Sequence, residues 1–185
     1  APGVNILAGN TPTPGSGRPG QLFQSISGTS MSSPHVAGLF ALIDQAHPDW
    51  SAAAAKSALM TTARQDVTKE DAQTAADPFD MGAGHVDPGA PDDRGSIFDP
   101  GMVYDAGLTD YIAFLCGATS GVVSAAYCDS LAADGYSFDA AQLNVPSIGD
   151  ASVVATSEIT RSLTNLTEDA LVLRPRVEAP QGFRV

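Results

Sequence analysis

From Ser30 to Ile43 the chain runs fourteen residues without an Asp, Glu, Lys or Arg, and a serine stands at its front. Val36, Ala37, Leu39, Phe40, Leu42 and Ile43 leave no polar stripe, so the run predicts a helix that is apolar nearly all round and therefore buried. Pro34 restricts where that helix begins. Its ring and missing N–H are tolerated only near a first turn, which puts the start near Ser30. Gly28 permits close backbone approach just before the turn. Gly38 lowers helix propensity and marks a close contact with a neighbouring element.

A serine at the start of a buried helix suits nucleophilic chemistry. The first N–H groups of a helix have no intrahelical partner, and the macrodipole favours negative charge there. A serine hydroxyl also needs a base, and the oxyanion formed on attack needs donors. The alternative is an ordinary N-cap serine, which is common. The whole string Gly28-Thr-Ser-Met-Ser-Ser-Pro-His-Val-Ala-Gly38 decides between them. It resembles the nucleophile motif of the subtilases, the subtilisin-like serine peptidases. The resemblance implies that Ser30 is the nucleophile and that the Thr29–Ser30 backbone supports the oxyanion. The α/β-hydrolase elbow G-x-S-x-G is not met, because Ser32 stands where its last glycine belongs.

Composition removes several other classes. With 185 residues and 43% hydrophobic content, the chain can form one domain with a core plus part of another. A net charge of −12 with only nine basic residues argues against nucleic acid as a partner. No apolar stretch reaches a membrane span of roughly 18 residues. The opening Ala1-Pro-Gly is not read as a signal peptide. Cys116 and Cys128 lack metal-site and C-x-x-C spacing. One disulfide is the preferred reading, implying an oxidising compartment; two buried thiols are the alternative. No metal or cofactor is called for.

Along the chain, residues 4–8 read as a short strand, 9–20 as a Gly/Pro-rich loop, and 21–27 as a lead-in with a short strand. The first helix reaches Ala46. His47-Pro-Asp-Trp breaks it, and Ser51 caps a second helix through Thr62. Subtilases show a similar pairing of nucleophile helix, His-Pro turn and second helix. The acidic stretch 64–78, with Asp66, Glu70, Asp71 and Asp77, reads as a surface loop without calcium-loop spacing. Thr109 is expected to cap a short helix over 110–116, with Ile112 and Leu115 facing inward.

Phe79-Asp-Met-Gly-Ala-Gly-His-Val-Asp-Pro88, Asp99-Pro-Gly-Met-Val-Tyr-Asp105 and Asp110-Tyr-Ile-Ala-Phe-Leu-Cys116 extend the likeness to plant-type, cucumisin-like subtilases. Leu143-Asn-Val-Pro-Ser-Ile148 resembles the start of the fibronectin-III-like domain of that branch. Residues 151–177 alternate in part, as strands do. The implied fold is α/β: the C-terminal part of a subtilisin-like parallel-sheet domain (1–100), a connecting segment with a short helix and disulfide (101–140), and the beginning of a β-sandwich (141–185). Residues 90–97 depart from the family pattern and read as an insert.

A triad needs a histidine base and an orienting aspartate. His35 follows Ser30 by five residues, roughly 140° round the helix, and is read as a packing residue. His47 is about 25 Å further along a helix. His85 would need Asp80 or Asp87 as partner. The resemblance instead implies that the catalytic Asp and His, and the oxyanion Asn, lie upstream of Ala1. The expected function is that of a secreted serine endopeptidase acting on protein or peptide substrates, with the isolated chain inactive. The rivals are a non-catalytic fragment or interaction module, and a serine hydrolase acting on esters. Asn165-Leu-Thr167 is a glycosylation triplet.

Overall fold

A computed structural model describes residues 1–11, 13, 18–89, 95–119, 121–150, 153–179 and 181–185. The first two strands, β1 (Ile6–Gly9) and β2 (Phe23–Ile26), form an antiparallel hairpin with Ile6 opposite Ile26. The hairpin leads into helix α1 (Thr29–Ala46), and Gly28 N–H donates to the Gly3 carbonyl at 2.8 Å as the chain turns. Helix α2 (Ala52–Thr61) follows the His47-Pro-Asp-Trp break. Its N-cap is Ser51, whose Oγ accepts from Ala54 N–H at 2.9 Å.

The main core lies where α1 meets α2. Ile43, Ala55, Leu59 and Ile97 are buried, with Val36, Leu39, Phe40, Trp50, Val86 and Phe98 packed against them. Burying such side chains stabilises by roughly 1.5–3 kcal/mol each. The other side of α2 meets β3 (Met102–Val103). There the buried Ser57 hydroxyl accepts from Tyr104 N–H at 2.9 Å. A satisfied hydroxyl is tolerated in a core where an unpaired one would be costly.

The acidic stretch after α2 is a tied loop rather than a loosely solvated one. Asp71 caps the Gln73 and Thr74 N–H groups, and Asp77 caps the short helix α3 (Pro78–Met81). Lys69 pairs with Asp80 at 2.9 Å. The Thr74 hydroxyl holds the Asp71 carboxyl below its ordinary value. The Asp77 N–H, then Lys69, hold the Asp80 carboxyl below its own. Beyond α3, Arg64 and His85 exchange two backbone bonds of 2.8 Å. Gly84 sits in that crossing with φ 118°, and a Cβ there would lie 2.2 Å from the Arg64 carbonyl oxygen. Only glycine satisfies both conditions.

Helices α4 (Leu108–Ala118) and α5 (Ala125–Ala133) are joined by a Cys116–Cys128 disulfide, which decides the thiol alternative. A 3-10 turn, Ala140–Gln142, packs on α4. Further on, Arg161 donates to the carbonyls of Ala141, Val145, Ser147 and Thr160. The last strand, β4 (Thr164–Asn165), pairs antiparallel with β3.

Several expectations are corrected. Helix α1 has the predicted extent, but Ile43 is its one buried residue and Leu42 is 50% exposed, because α2 and its loops cover one side alone among the described residues. Gly38 faces open space and marks no close contact. Gly107 rather than Thr109 caps α4; its N–H donates to Asp110 at 2.6 Å, and Thr109 falls inside the first turn. Ile112 and Leu115 are half-buried, and Ala113 is the buried residue of that helix. Among the described residues of 151–177, β4 is the regular strand and the remainder is irregular; residues 151 and 152 lie outside the description. Both sheets are two-stranded and antiparallel, so no parallel pairing occurs among the described residues. Of the expected insert, 90–94 lie outside the description, while Ile97 belongs to the core.

Candidate functional site

The N-terminus of α1 and strand β1 enclose a pocket of about 300 Å³, lined by Ile6, Leu7, Ala8, Ser30, Met31, Pro34 and His35. Ser30 is the second residue of the helix and is exposed to this space. The chain reaches that geometry through Gly28, which is fully extended and offers no side-chain cap. The Gly28 carbonyl accepts from Met31 N–H at 3.0 Å and closes the first turn. The Thr29 and Ser30 N–H groups belong to the first-turn donors that lack an intrahelical acceptor, at the end of the helix that favours an anion. Pro34 has no N–H to return to the Ser30 carbonyl, so the first turn is held more loosely than a regular one.

The histidines lie as follows. His35 is exposed rather than packed, which corrects its sequence reading. It lines the same pocket as Ser30, yet its Nδ1 donates to the Met31 carbonyl at 2.7 Å. Proximity through the pocket was missed because angular separation around the helix says nothing about a shared cavity. His47 stacks on Trp50 with ring centroids 4.0 Å apart, and its Nε2 donates to the Phe98 carbonyl at 2.9 Å. His85 donates through Nδ1 to the Val86 carbonyl at 2.9 Å. Its candidate partners are engaged elsewhere. Asp87 accepts from Gly89 N–H, and Asp80 from Asp77 N–H and Lys69. Among the described residues no hydrogen bond joins Ser30 to a histidine or carboxylate. The arrangement is an exposed hydroxyl on a helix N-terminus with a mostly apolar pocket beside it and, among the described residues, no base bonded to it.

Residues 1–84 match the subtilase family. The chain is 39% identical to subtilisin-like protease SBT3.2 of Arabidopsis thaliana over an alignment covering all of this chain and 25% of the relative. It is 37% identical to the CO(2)-response secreted protease of the same plant, covering all of this chain and 26% of the relative. Over 63% of this chain, and 16% of the relative, identity to subtilisin-like protease SBT1.4 of Arabidopsis reaches 52%. The chain belongs to the subtilase family. It spans about a quarter of the length of these full-length relatives. No helix among the described residues is long and apolar enough to cross a membrane.

Proposed function

We propose that the protein containing this chain is a secreted serine endopeptidase and that Ser30 is its nucleophile. The observation that carries this reading is Ser30 exposed at the second position of α1, beside a pocket able to receive a substrate segment. Ser30 Oγ attacks the peptide carbonyl carbon and passes its proton to a base. The Ser30 backbone N–H, supported by Thr29, holds the oxyanion. Collapse releases the amine and leaves an acyl-enzyme, which water hydrolyses. The base, its orienting carboxylate and a side-chain oxyanion donor come from sequence outside these residues, as the quarter-length coverage of the relatives allows. The disulfide and the name of the secreted relative support an extracellular setting.

Within this reading, residues 1–100 are the C-terminal part of the peptidase domain and 101–140 connect it onward. Residues 141–185 begin a fibronectin-III-like domain whose strands are completed by further chain. The exposed apolar residues Leu171, Val172, Leu173 and Val177 suit strands awaiting a facing sheet.

A fluorophosphonate probe tests the reading. The full-length protein is labelled at Ser30, and Ser30→Ala abolishes labelling and lowers peptide turnover by about 10⁴-fold or more. The isolated 185-residue chain is not labelled. Unchanged turnover in the Ser30→Ala protein assigns the chain a non-catalytic role. Ester turnover without peptide turnover places it among esterases.

A further inference from the structure

The peptidase reading uses the helix end and leaves the C-terminal segment without a role. That segment contains Asn165-Leu-Thr167, and the structure shows more there than a triplet. Asn165 lies exposed on β4. Its Oδ1 accepts two bonds from Thr167, one from the backbone N–H at 2.9 Å and one from the hydroxyl at 2.8 Å. Its Nδ2 donates to the Asp169 carbonyl at 2.8 Å. Leu166 N–H donates to the Gly101 carbonyl at 3.0 Å, a bond that proline at the middle position would forbid. The carboxamide is therefore held in an Asx-turn against the hydroxyl two residues on.

We infer that Asn165 is an N-glycosylation site, with an oligosaccharide carried on a polyisoprenoid diphosphate as the donor. The inference rests on the secreted reading above, because this chemistry takes place in the secretory compartment where the Cys116–Cys128 disulfide also forms. Amide nitrogens are weak nucleophiles, since their lone pair is delocalised into the carbonyl. The Thr167 hydroxyl sits on the oxygen end of that carboxamide, where it can orient the group for transfer. In the step itself, Nδ2 attacks the anomeric carbon and an N–C bond forms. The C–O bond to the diphosphate breaks, the lipid diphosphate leaves, and one amide proton passes to a base. The modified Nδ2 retains one hydrogen. The bound sugar projects from the edge of the β3–β4 pair, where Asn165 faces solvent.

Asn5, Asn10 and Asn144 lack Ser or Thr two positions on, so one site accounts for any such modification of this chain. The test expresses the full-length protein with its own leader in cultured animal cells. Digestion with peptide-N-glycosidase in heavy-oxygen water is followed by peptide mass spectrometry. The expected result is labelled aspartate at position 165, lost completely in Asn165→Gln and Thr167→Ala and retained in Thr167→Ser. Thr167→Ser keeps the hydroxyl that Thr167→Ala removes, so retention in the one and loss in the other report on the acceptor rather than on misfolding. A secreted, disulfide-bonded and peptidase-active protein unmodified at Asn165 overturns the site and leaves the proposed function standing. Retention in the cytosol with free thiols overturns the site and the secreted reading together.

Discussion

Helices α1 and α2 are neighbours of similar chemistry and opposite fate. The first is an 18-residue helix with Ile43 as its buried residue. The second has 10 residues and buries Ala54, Ala55, Ser57, Ala58 and Leu59. The longer and more continuous apolar run is the less buried one. Helix α2 is enclosed because α1 packs on one side and β3 on the other, while α1 has a partner on one side alone among the described residues. Apolarity states what a helix can tolerate, and its neighbours decide what it receives. A long helix whose one charged residue is Asp44 is left half open among the described residues.

That contrast can be broken by substitution. Ile43→Ala removes the residue through which α1 enters the shared core, and costs about 2–5 kcal/mol in denaturant unfolding. Leu42→Ala, one position away and half exposed, costs under about 1 kcal/mol. Equal losses would show that α1 is buried on both sides in solution. Glycines provide the next test. Gly84→Ala drives a Cβ into the Arg64 carbonyl at positive φ and lowers stability by about 2–4 kcal/mol. Gly38→Ala, in open space on α1, leaves stability unchanged or raises it by up to about 1 kcal/mol. Destabilisation at Gly38 would reveal a packed neighbour there.

Smaller effects sharpen the picture around α2. Ser51→Ala deletes its N-cap and the hydroxyl bonded to Asp105, and lowers stability by about 1 kcal/mol. The smallest effect belongs to the loop after α2. Asp71 and Asp80 are both held below the ordinary value of 3.8. A depressed carboxyl stabilises the fold above its unfolded value and loses that contribution as the pH falls through its folded value. Amide exchange at Gln73, Thr74 and Asp77, corrected for intrinsic rates, therefore rises relative to neutral pH once the pH drops below 3.8. Protection unchanged in strong acid would mean these carboxylates do not hold the loop.

Local chemistry was legible in the sequence, and environment was not. The ends of α1 and α2, the Ser51 cap, the two short strands before Ser30 and the bridge between the two cysteines follow from residues close in the chain or from a count of two, whereas the antiparallel pairing of those strands does not. Burial of α1, the surroundings of Gly38 and the setting of His35 depend on what packs opposite, which no local pattern encodes. The strands expected over 151–177 misled for the same reason. Alternation reports a segment suited to a sheet, and a strand exists only when a partner edge is supplied. The Thr109 cap erred by two positions, because Asp110 reaches back to Gly107 and starts the helix earlier. At the candidate site the motif proposes Ser30, whereas the pocket it shares with β1 is a property of the fold that no local pattern encodes.

Strand β3 is two residues long, yet it has α2 on one side and β4 on the other. Val103, the second of the two, is completely enclosed. Any tension applied to the C-terminal segment is therefore handed across two residue pairs to Val103, then to α2, and through Ile43 to the helix that carries Ser30. The antiparallel bonds of such a short splice lie nearly perpendicular to the chain. Tension that pulls the C-terminal segment away from β3 reaches the Met102–Asn165 pair before the Val103–Thr164 pair, so the splice opens from that end toward the enclosed Val103.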